Sequence, residues 1–439
     1  MSAMPFRAPA RALRAGTAAL AGAAVIAVVA LSAPAATAAP PSYNLRGVTV
    51  VDTFESDADG DGVVDYIMTT TTTIDRHGRE ELRVMASDVD ADGVVDSTTI
   101  ITPTYDHRGR QTLLTEETFQ GADPIADFRT TFESFYDARG DLLRSVYSVD
   151  YDADGVIDDS SVTTITTSKN PATTTYAITV DADGDGGSDD LSSSYAEFDR
   201  RGNPVLDRLA IDIDSDGVID GAYEVTRTFS VRGAILTAHV ETSGLYGDTA
   251  DDTTWTYAKG GVLTGWVTVS EDGEVATTAL TYDSEARLIE YVETVDAEGD
   301  GVVDSSITST DVWEGDLLIT TSRVSVEAIG TPEESVSVIT RTHTYDAAGQ
   351  LVAILDEDDS DGDGDADRTE STQYGYDEAA RMVSVLIQFD DDGDGAADRA
   401  MRELYVYDED GFLGQWSQEY DNDGDGVWDS RDVTTTTIS

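Results

Sequence analysis

The sequence runs to 439 residues, with no cysteine, 27 basic and 87 acidic side chains, and a formal charge of −60. That acidic excess argues against nucleic acid or anionic lipid as a partner, and the absence of cysteine excludes disulfides as a means of holding the fold together. A charge of this size fits either a disordered chain or a cation-saturated fold, so the placement of the aspartates has to decide.

Residues 1–39 read as an export signal. Arg7, Arg11 and Arg14 form a positive start, Ala18 to Leu31 an apolar stretch, and Ala36-Thr37-Ala38 a cleavage site of small residues. The apolar stretch is too short and too Ala-rich for a membrane helix, which needs about 20 apolar residues. No cysteine follows to carry a lipid, and no later apolar span is present, so the mature chain is expected to be secreted, with cell-surface association a further expectation. Without the three leader arginines, 24 basic residues face 87 acidic ones, a charge of −63.

From residue 57 onward a nine-residue segment, D-x-D-x-D-G-x-x-D, recurs, mostly at 31-residue spacing. Its acidic positions are Asp57, Asp59, Asp61 and Asp65; Asp88, Asp90, Asp92 and Asp96; and Asp150, Asp152, Asp154 and Asp158. They continue as Asp181, Asp183, Asp185 and Asp189; Asp212, Asp214, Asp216 and Asp220; and Asp296, Glu298, Asp300 and Asp304. The last three copies hold Asp359, Asp361, Asp363 and Asp367; Asp390, Asp392, Asp394 and Asp398; and Asp421, Asp423, Asp425 and Asp429. Four further registers are decayed, giving thirteen in all. Two of them keep an acid at the ninth position (Asp127 and Asp251), one is a tight turn near Ser270, and one spans 327–335. Degenerate repeats concentrate around 244–334.

A second turn signal interleaves with the first. It reads aromatic-Asp-x-x-Gly at Tyr105, Tyr136, Phe198, Tyr345 and Tyr407, with variants lacking the glycine at Tyr282 and Tyr376. Asp and Gly at these offsets suit a tight hairpin turn. The segments between turns alternate with period two, as from Thr175 to Val180 and from Val383 to Phe389, and they are rich in Thr, Val, Ile and Tyr. No helical spacing appears. The expected fold is all-β: a repetitive antiparallel meander of 31-residue, two-strand repeats forming one extended or spiralling sheet over 40–439. A β-propeller of six or seven four-stranded blades is the alternative.

Calcium takes six to eight oxygen ligands, and four carboxylates around a glycine at position six can converge on one ion. Without a cation they would repel one another. Nine copies in register therefore predict up to nine calcium ions, with selectivity over magnesium unread. The loops are not EF-hands: the twelfth position holds Met68, Thr99, Ser161, Ser192, Tyr223 or Ile307 in place of Glu, and no helix flanks them. At tenfold excess over a typical extracellular dissociation constant each site contributes about 1.4 kcal/mol, so nine contribute on the order of 13 kcal/mol.

The loops are similar to those of thrombospondin type 3 repeats and FG-GAP blades. The aromatic turns running into a strand that begins with Leu, as in YDAAGQLVAIL from Tyr345, resemble the YD repeats of the RHS family over most of 50–439. That resemblance implies a β-strand architecture and a surface location, since family members build β-strand shells or sit at the cell wall. About 400 residues look too few for a closed shell of that kind, and no RHS core motif or toxin cargo is visible.

No catalytic constellation emerges. The four histidines, His77, His107, His239 and His343, form no paired or triad spacing, and a glycosidase carboxylate pair would have to be singular among repeated acids. The Thr runs at 69–73 and 434–437 read as solvated strand faces, not an ice-binding lattice. Trp255, Trp266 and Trp313 fall where the calcium loops fail; they read as packing residues, with an aromatic platform for a sugar polymer or protein as the sharper alternative. The expected function is a non-enzymatic extracellular scaffold or surface-interaction protein held rigid by calcium. The alternative is a calcium-dependent adhesin or carbohydrate-binding protein whose partner is a cell-wall glycan or another surface protein.

Overall fold

The computed structural model describes residues 46–121, 124–169, 172–245 and 247–438. The expected export signal and cleavage site lie outside the described residues. Twenty-six strands, from β1 (Val48–Asp57) to β26 (Ser430–Ile438), follow one another along the chain, and no helix occurs among the described residues. Each strand pairs antiparallel with its neighbours in sequence, as when β2 (Tyr66–Ile74) pairs with β1 on one side and with β3 (Glu80–Asp88) on the other. The strands are short because turn chemistry interrupts the chain at both ends of each hairpin. An aspartate loop ends every odd strand that carries an intact copy, and an aromatic-Asp turn ends most even ones.

The sheet does not stay open. β1 pairs with β26 over a register that sets Val50 against Ile438 and Asp57 against Arg431. The Thr436 hydroxyl donates to Asp52 Oδ1 across this seam at 2.5 Å. The molecule is thus a closed 26-stranded barrel, which corrects the expectation of an extended or spiralling sheet and equally that of a propeller. The physical reason is the register. Glu55, Ile67 and Asp88 stand level across β1, β2 and β3, although Asp88 is the repeat equivalent of Asp57, so the repeat slips by two residues. An average slip of two over thirteen repeats matches the 26 strands of the sheet, a ratio of stagger to strand number that tilts strands by about 36°. At the usual strand spacing the circumference corresponds to a circle about 50 Å across, with a height of roughly 24 Å.

A barrel this wide has no packed centre. Only Ala126, Val149, Val225, Ala238 and Val385 are buried apolar residues among those described. Both faces of one sheet layer are accessible.

The register also tells the faces apart. When a strand of L-residues points up and a side chain projects at the viewer, that residue's own N–H and C=O point to the right. On β2 the even residues turn their backbone toward β1: Asp65 N–H donates to Ser56 O where Ser56 meets Tyr66, while Asp75 N–H bonds Arg79 O on the other side. Seen from the even face of β2, then, β1 lies to the right and the chain proceeds leftward. The two-residue slip raises the loop rim toward the left, so strands lean left from this side. Right-handed strand twist makes barrel strands lean right when seen from outside. The even face of β2 is therefore the inner face.

Carried through the pairings, this places Phe54, Tyr66, Tyr147, Tyr176, Tyr223, Trp255, Trp266, Tyr291, Tyr374, Tyr405, Trp416 and Tyr420 inside. The outward positions of the described strands hold only Phe119, Phe135 and Tyr195 as aromatics. Charge appears on both faces. Inside, Arg227 pairs with Asp207 and Arg341 with Asp356; outside, Arg208 pairs with Glu224 and Arg402 with Glu419.

Closure predicts that an Asp52→Cys/Thr436→Cys protein, in a chain with no other cysteine, forms an intramolecular disulfide on mild oxidation. The two positions are direct cross-strand partners, within bridging distance. A faster-migrating band on non-reducing electrophoresis is the expected result, and an Asp52→Cys/Thr228→Cys control should not give it.

Candidate metal centre

All thirteen loops on the aspartate side lie along one rim, because every one joins an odd strand to the next even strand. The nine intact copies share one hydrogen-bonding plan, which follows from the acceptor capacity of aspartate in tight turns. The loop at Asp150 illustrates it. Asp150 Oδ2 accepts the Gly155 N–H at 2.9 Å, Asp152 Oδ1 accepts from Asp154 at 3.3 Å, and Asp154 Oδ1 accepts from Val156 at 2.8 Å. Asp158 Oδ2 reaches back to the Tyr151 N–H at 2.7 Å and closes the loop. Gly155 has φ 94°, the left-handed region its position demands.

The same first-to-sixth bond recurs at Gly62, Gly93, Gly186, Gly217, Gly301, Gly364, Gly395 and Gly426. The ninth aspartates Asp65, Asp96, Asp189, Asp220, Asp304, Asp367, Asp398 and Asp429 each accept from the second residue of their loop. Asp127 does the same for Gln120 at 2.7 Å, so the decayed copy keeps the closing bond after losing the rest.

These bonds use part of each carboxylate and leave the remainder aimed at a common point. Oxygens of Asp88, Asp90 and Asp96 lie within 4.8 Å of one another, as do those of Asp150, Asp152 and Asp158, of Asp181, Asp183 and Asp189, and of Asp212, Asp214 and Asp220. In the first loop the group is Asp57, Asp59 and Asp61. The fifth-position aspartates Asp92, Asp154, Asp185 and Asp216 instead give one oxygen to the N–H two residues on. Glu298 stands in the third position of its loop, where Asp296 and Asp304 make the usual backbone bonds.

A divalent cation fits this donor set on one decisive observation. The Oδ1 atoms of Asp57, Asp181, Asp212, Asp390 and Asp421 are buried and have no hydrogen-bond partner, and Asp212, Asp390 and Asp421 are only 2%, 6% and 5% exposed. A buried carboxylate oxygen without a donor costs several kcal/mol unless a cation sits against it. Oxygen-only ligands on a glycine-hinged loop suit calcium best. Neighbouring loops also touch: a Cβ at Gly424 would lie 2.2 Å from Ala397 O of the preceding loop, and one at Gly60 would lie 2.4 Å from Asp429 O across the seam. The sites form a contiguous crown.

The opposite rim is held without metal. Asp75 Oδ1 accepts the His77 and Arg79 N–H groups at 2.7 and 3.0 Å, and its Oδ2 pairs with the Arg79 guanidinium. The Arg79 guanidinium carbon sits 4.9 Å over the Tyr105 ring of the next turn; Arg110 over Tyr136 and Arg381 over Tyr407 repeat the contact at 4.5 and 4.6 Å. Tyr136, Tyr345 and Tyr376 each donate their hydroxyl to a backbone carbonyl one repeat earlier. Backbone and arginine donors hold Asp75 and Asp106 down at about 2.

Trp255 and Trp266 are cross-strand partners on the inner face, and Trp313 donates Nε1–H to Leu288 O at the turn rim. None forms an outward platform, so the adhesin or carbohydrate-binding alternative is corrected. The scaffold and surface-interaction reading is corrected with it, because the chain closes into a large hollow barrel. The inner wall itself is what sequence reasoning missed. Its signal was present in the parity of the aromatics along each strand.

No protein-family model matches the chain, and no curated protein matches it. Among solved structures, a porin-like protein from Bacteroides uniformis shares 10% identity over 89% of this chain and 97% of that one, with a TM-score of 0.16. The outer membrane protease OmpT from Escherichia coli shares 9% identity over 89% and 92%, with a TM-score of 0.07. Likenesses at these scores carry no argument about fold or function.

Two outcomes are expected. Native mass spectrometry in millimolar calcium should count up to nine bound ions, falling by one in Asp212→Asn, whose buried Oδ1 loses its charge. Acid should act on the turn rim through Asp75 and Asp106, which are lowered to about 2 from an unfolded value of about 3.9. Their contribution is fully present above pH 4 and lost as pH falls toward 2. Thermal melts in that window should therefore drop steeply in the parent and less steeply in Asp75→Asn/Asp106→Asn.

Proposed function

We propose that the protein is a hollow, calcium-crowned barrel that encloses a guest molecule, and that it binds without turnover. The observation that carries this is the inward direction of the aromatic face. Tyrosines and tryptophans left against water on the wall of a lumen about 35 Å wide, once side chains are allowed for, would forfeit their burial energy; a guest supplies it. A folded domain of about 100 residues, with a radius of gyration near 13 Å, has the size to enter. The likeness of the aromatic turns to YD repeats, in a family that builds β-strand shells, points the same way. The export signal expected from the sequence would take the barrel outside the cytoplasm, where calcium at extracellular concentration would fill the crown.

A membrane channel is the second reading, favoured by one observation: tilted nine-residue strands span roughly 24 Å, close to the apolar band of an outer-membrane barrel. The outward face opposes it. Glu133, Arg208, Glu224 and Arg402 project outward from the middle of their strands, and each such arginine costs about 2–4 kcal/mol at a bilayer midplane.

Single cysteines at Thr70, on the inner face, and Thr71, on the outer face, separate these readings after coupling to biotin-maleimide. Streptavidin is too bulky for the lumen, so it should capture the Thr71→Cys protein and leave the Thr70→Cys protein uncaptured until the barrel is denatured. Capture of both in the native state would overturn the enclosing barrel. Flotation with liposomes, with Thr71→Cys shielded, would establish the channel in its place.

A further inference from the structure

The inner wall carries two matched sets of side chains whose chemistry selects a guest. On β24 (Arg399–Tyr407) and β25 (Leu413–Asp421), Tyr405 lies directly across from Trp416, and its hydroxyl donates to Glu403 two residues back on the same face. Gln418 Nε2–H donates to the other Glu403 oxygen at 3.3 Å and steadies the carboxylate. On β15 (Leu263–Ser270) and β17 (Leu288–Asp296), the rings of Trp266 and Tyr291 lie 6.5 Å apart, and the Tyr291 hydroxyl donates to Glu293. Each set joins a tryptophan, a tyrosine and a carboxylate on a concave surface.

Aromatic faces carry negative quadrupole density, and a fixed carboxylate beside them supplies a full charge, so both attract the same class of group: an ammonium or guanidinium. The wall's own arginines are largely committed elsewhere. Arg227 is paired with Asp207 and Arg341 with Asp356, while Arg399 and Arg368 both reach Asp391. Arg323 stands near Tyr291 and weakens the second set, so the Tyr405 set is the stronger. Carboxylates outnumber arginines along the inner face, and the chain as a whole carries −60. A cationic guest entering past the aspartate crown would meet complementary charge throughout.

From this geometry we infer that the guest is a cationic polypeptide, whose lysine or arginine side chains seat against Trp416, Tyr405 and Glu403. This inference rests on the enclosing-barrel reading and names its guest class.

The test uses the full calcium-loaded chain and fluorescein-labelled decalysine, read by anisotropy at physiological salt. Saturable binding is expected, weakened about tenfold or more in Trp416→Leu/Glu403→Gln, the order expected for losing a cation–π contact and its carboxylate. The outward variant Glu224→Gln/Glu241→Gln should bind as the parent does. Circular dichroism confirms that each variant folds. Equal binding by parent and inner variant, or an equal loss in the outward variant, would mean that decalysine sits on the exterior and would overturn the inference. So would preference for decaglutamate or uncharged dextran. The streptavidin result keeps the two failures apart: exclusion of the Thr70 site alongside an unaffected inner variant removes only the cationic guest, whereas capture at Thr70 removes the enclosure too.

Discussion

Closure of the sheet is the constraint on which the rest of this structure depends. A single β-layer without a packed interior can satisfy its backbone only by pairing every strand on both sides, and an open meander would leave β1 and β26 as unpaired edges. Closing a ring of 26 strands requires a definite total stagger, and the repeat supplies it as an average slip of two residues. The irregular repeats between 244 and 334 do not break the ring; β13 (Ile235–Gly244) to β20 (Ser335–Tyr345) still pair in sequence.

Two rims of different chemistry clamp the ring. At one, buried aspartate oxygens stay without donors, and their natural partner is a cation that also bridges a dense row of negative charge. At the other, arginines stack on the aromatic ring of the next turn while holding the aspartate of their own. Both devices work along the circumference, from repeat to repeat, so they compensate in the same direction for the missing core. Calcium would do here what disulfides do in small secreted domains, through charge neutralisation and loop ordering instead of a covalent tie.

The same register fixes what each face can contact. With nearly all strand aromatics inward and ion pairs on both faces, the outer wall differs from that of an outer-membrane barrel, whose apolar band faces lipid. The proposed guest follows from the aromatic wall, which a guest would bury, and its proposed cationic character from the carboxylates fixed beside those rings.

The sequence by itself determined the local structure: thirteen two-strand repeats, the turn chemistry at each end, and the convergence of carboxylates such as Asp150, Asp152 and Asp158. These follow from period-two alternation and from residues within nine positions of one another, where chain geometry leaves few choices. Asp127 was legible too, since its closing bond to Gln120 spans seven residues. Whether the sheet stayed open, coiled or closed was not legible. That outcome depends on a two-residue slip summed over thirteen repeats and on the pairing of Val50 with Ile438, partners at opposite ends of the chain. The meaning of Trp255 and Trp266 changed with it. Alternation places them on one face of the sheet, but only the sense of closure makes that face the inside.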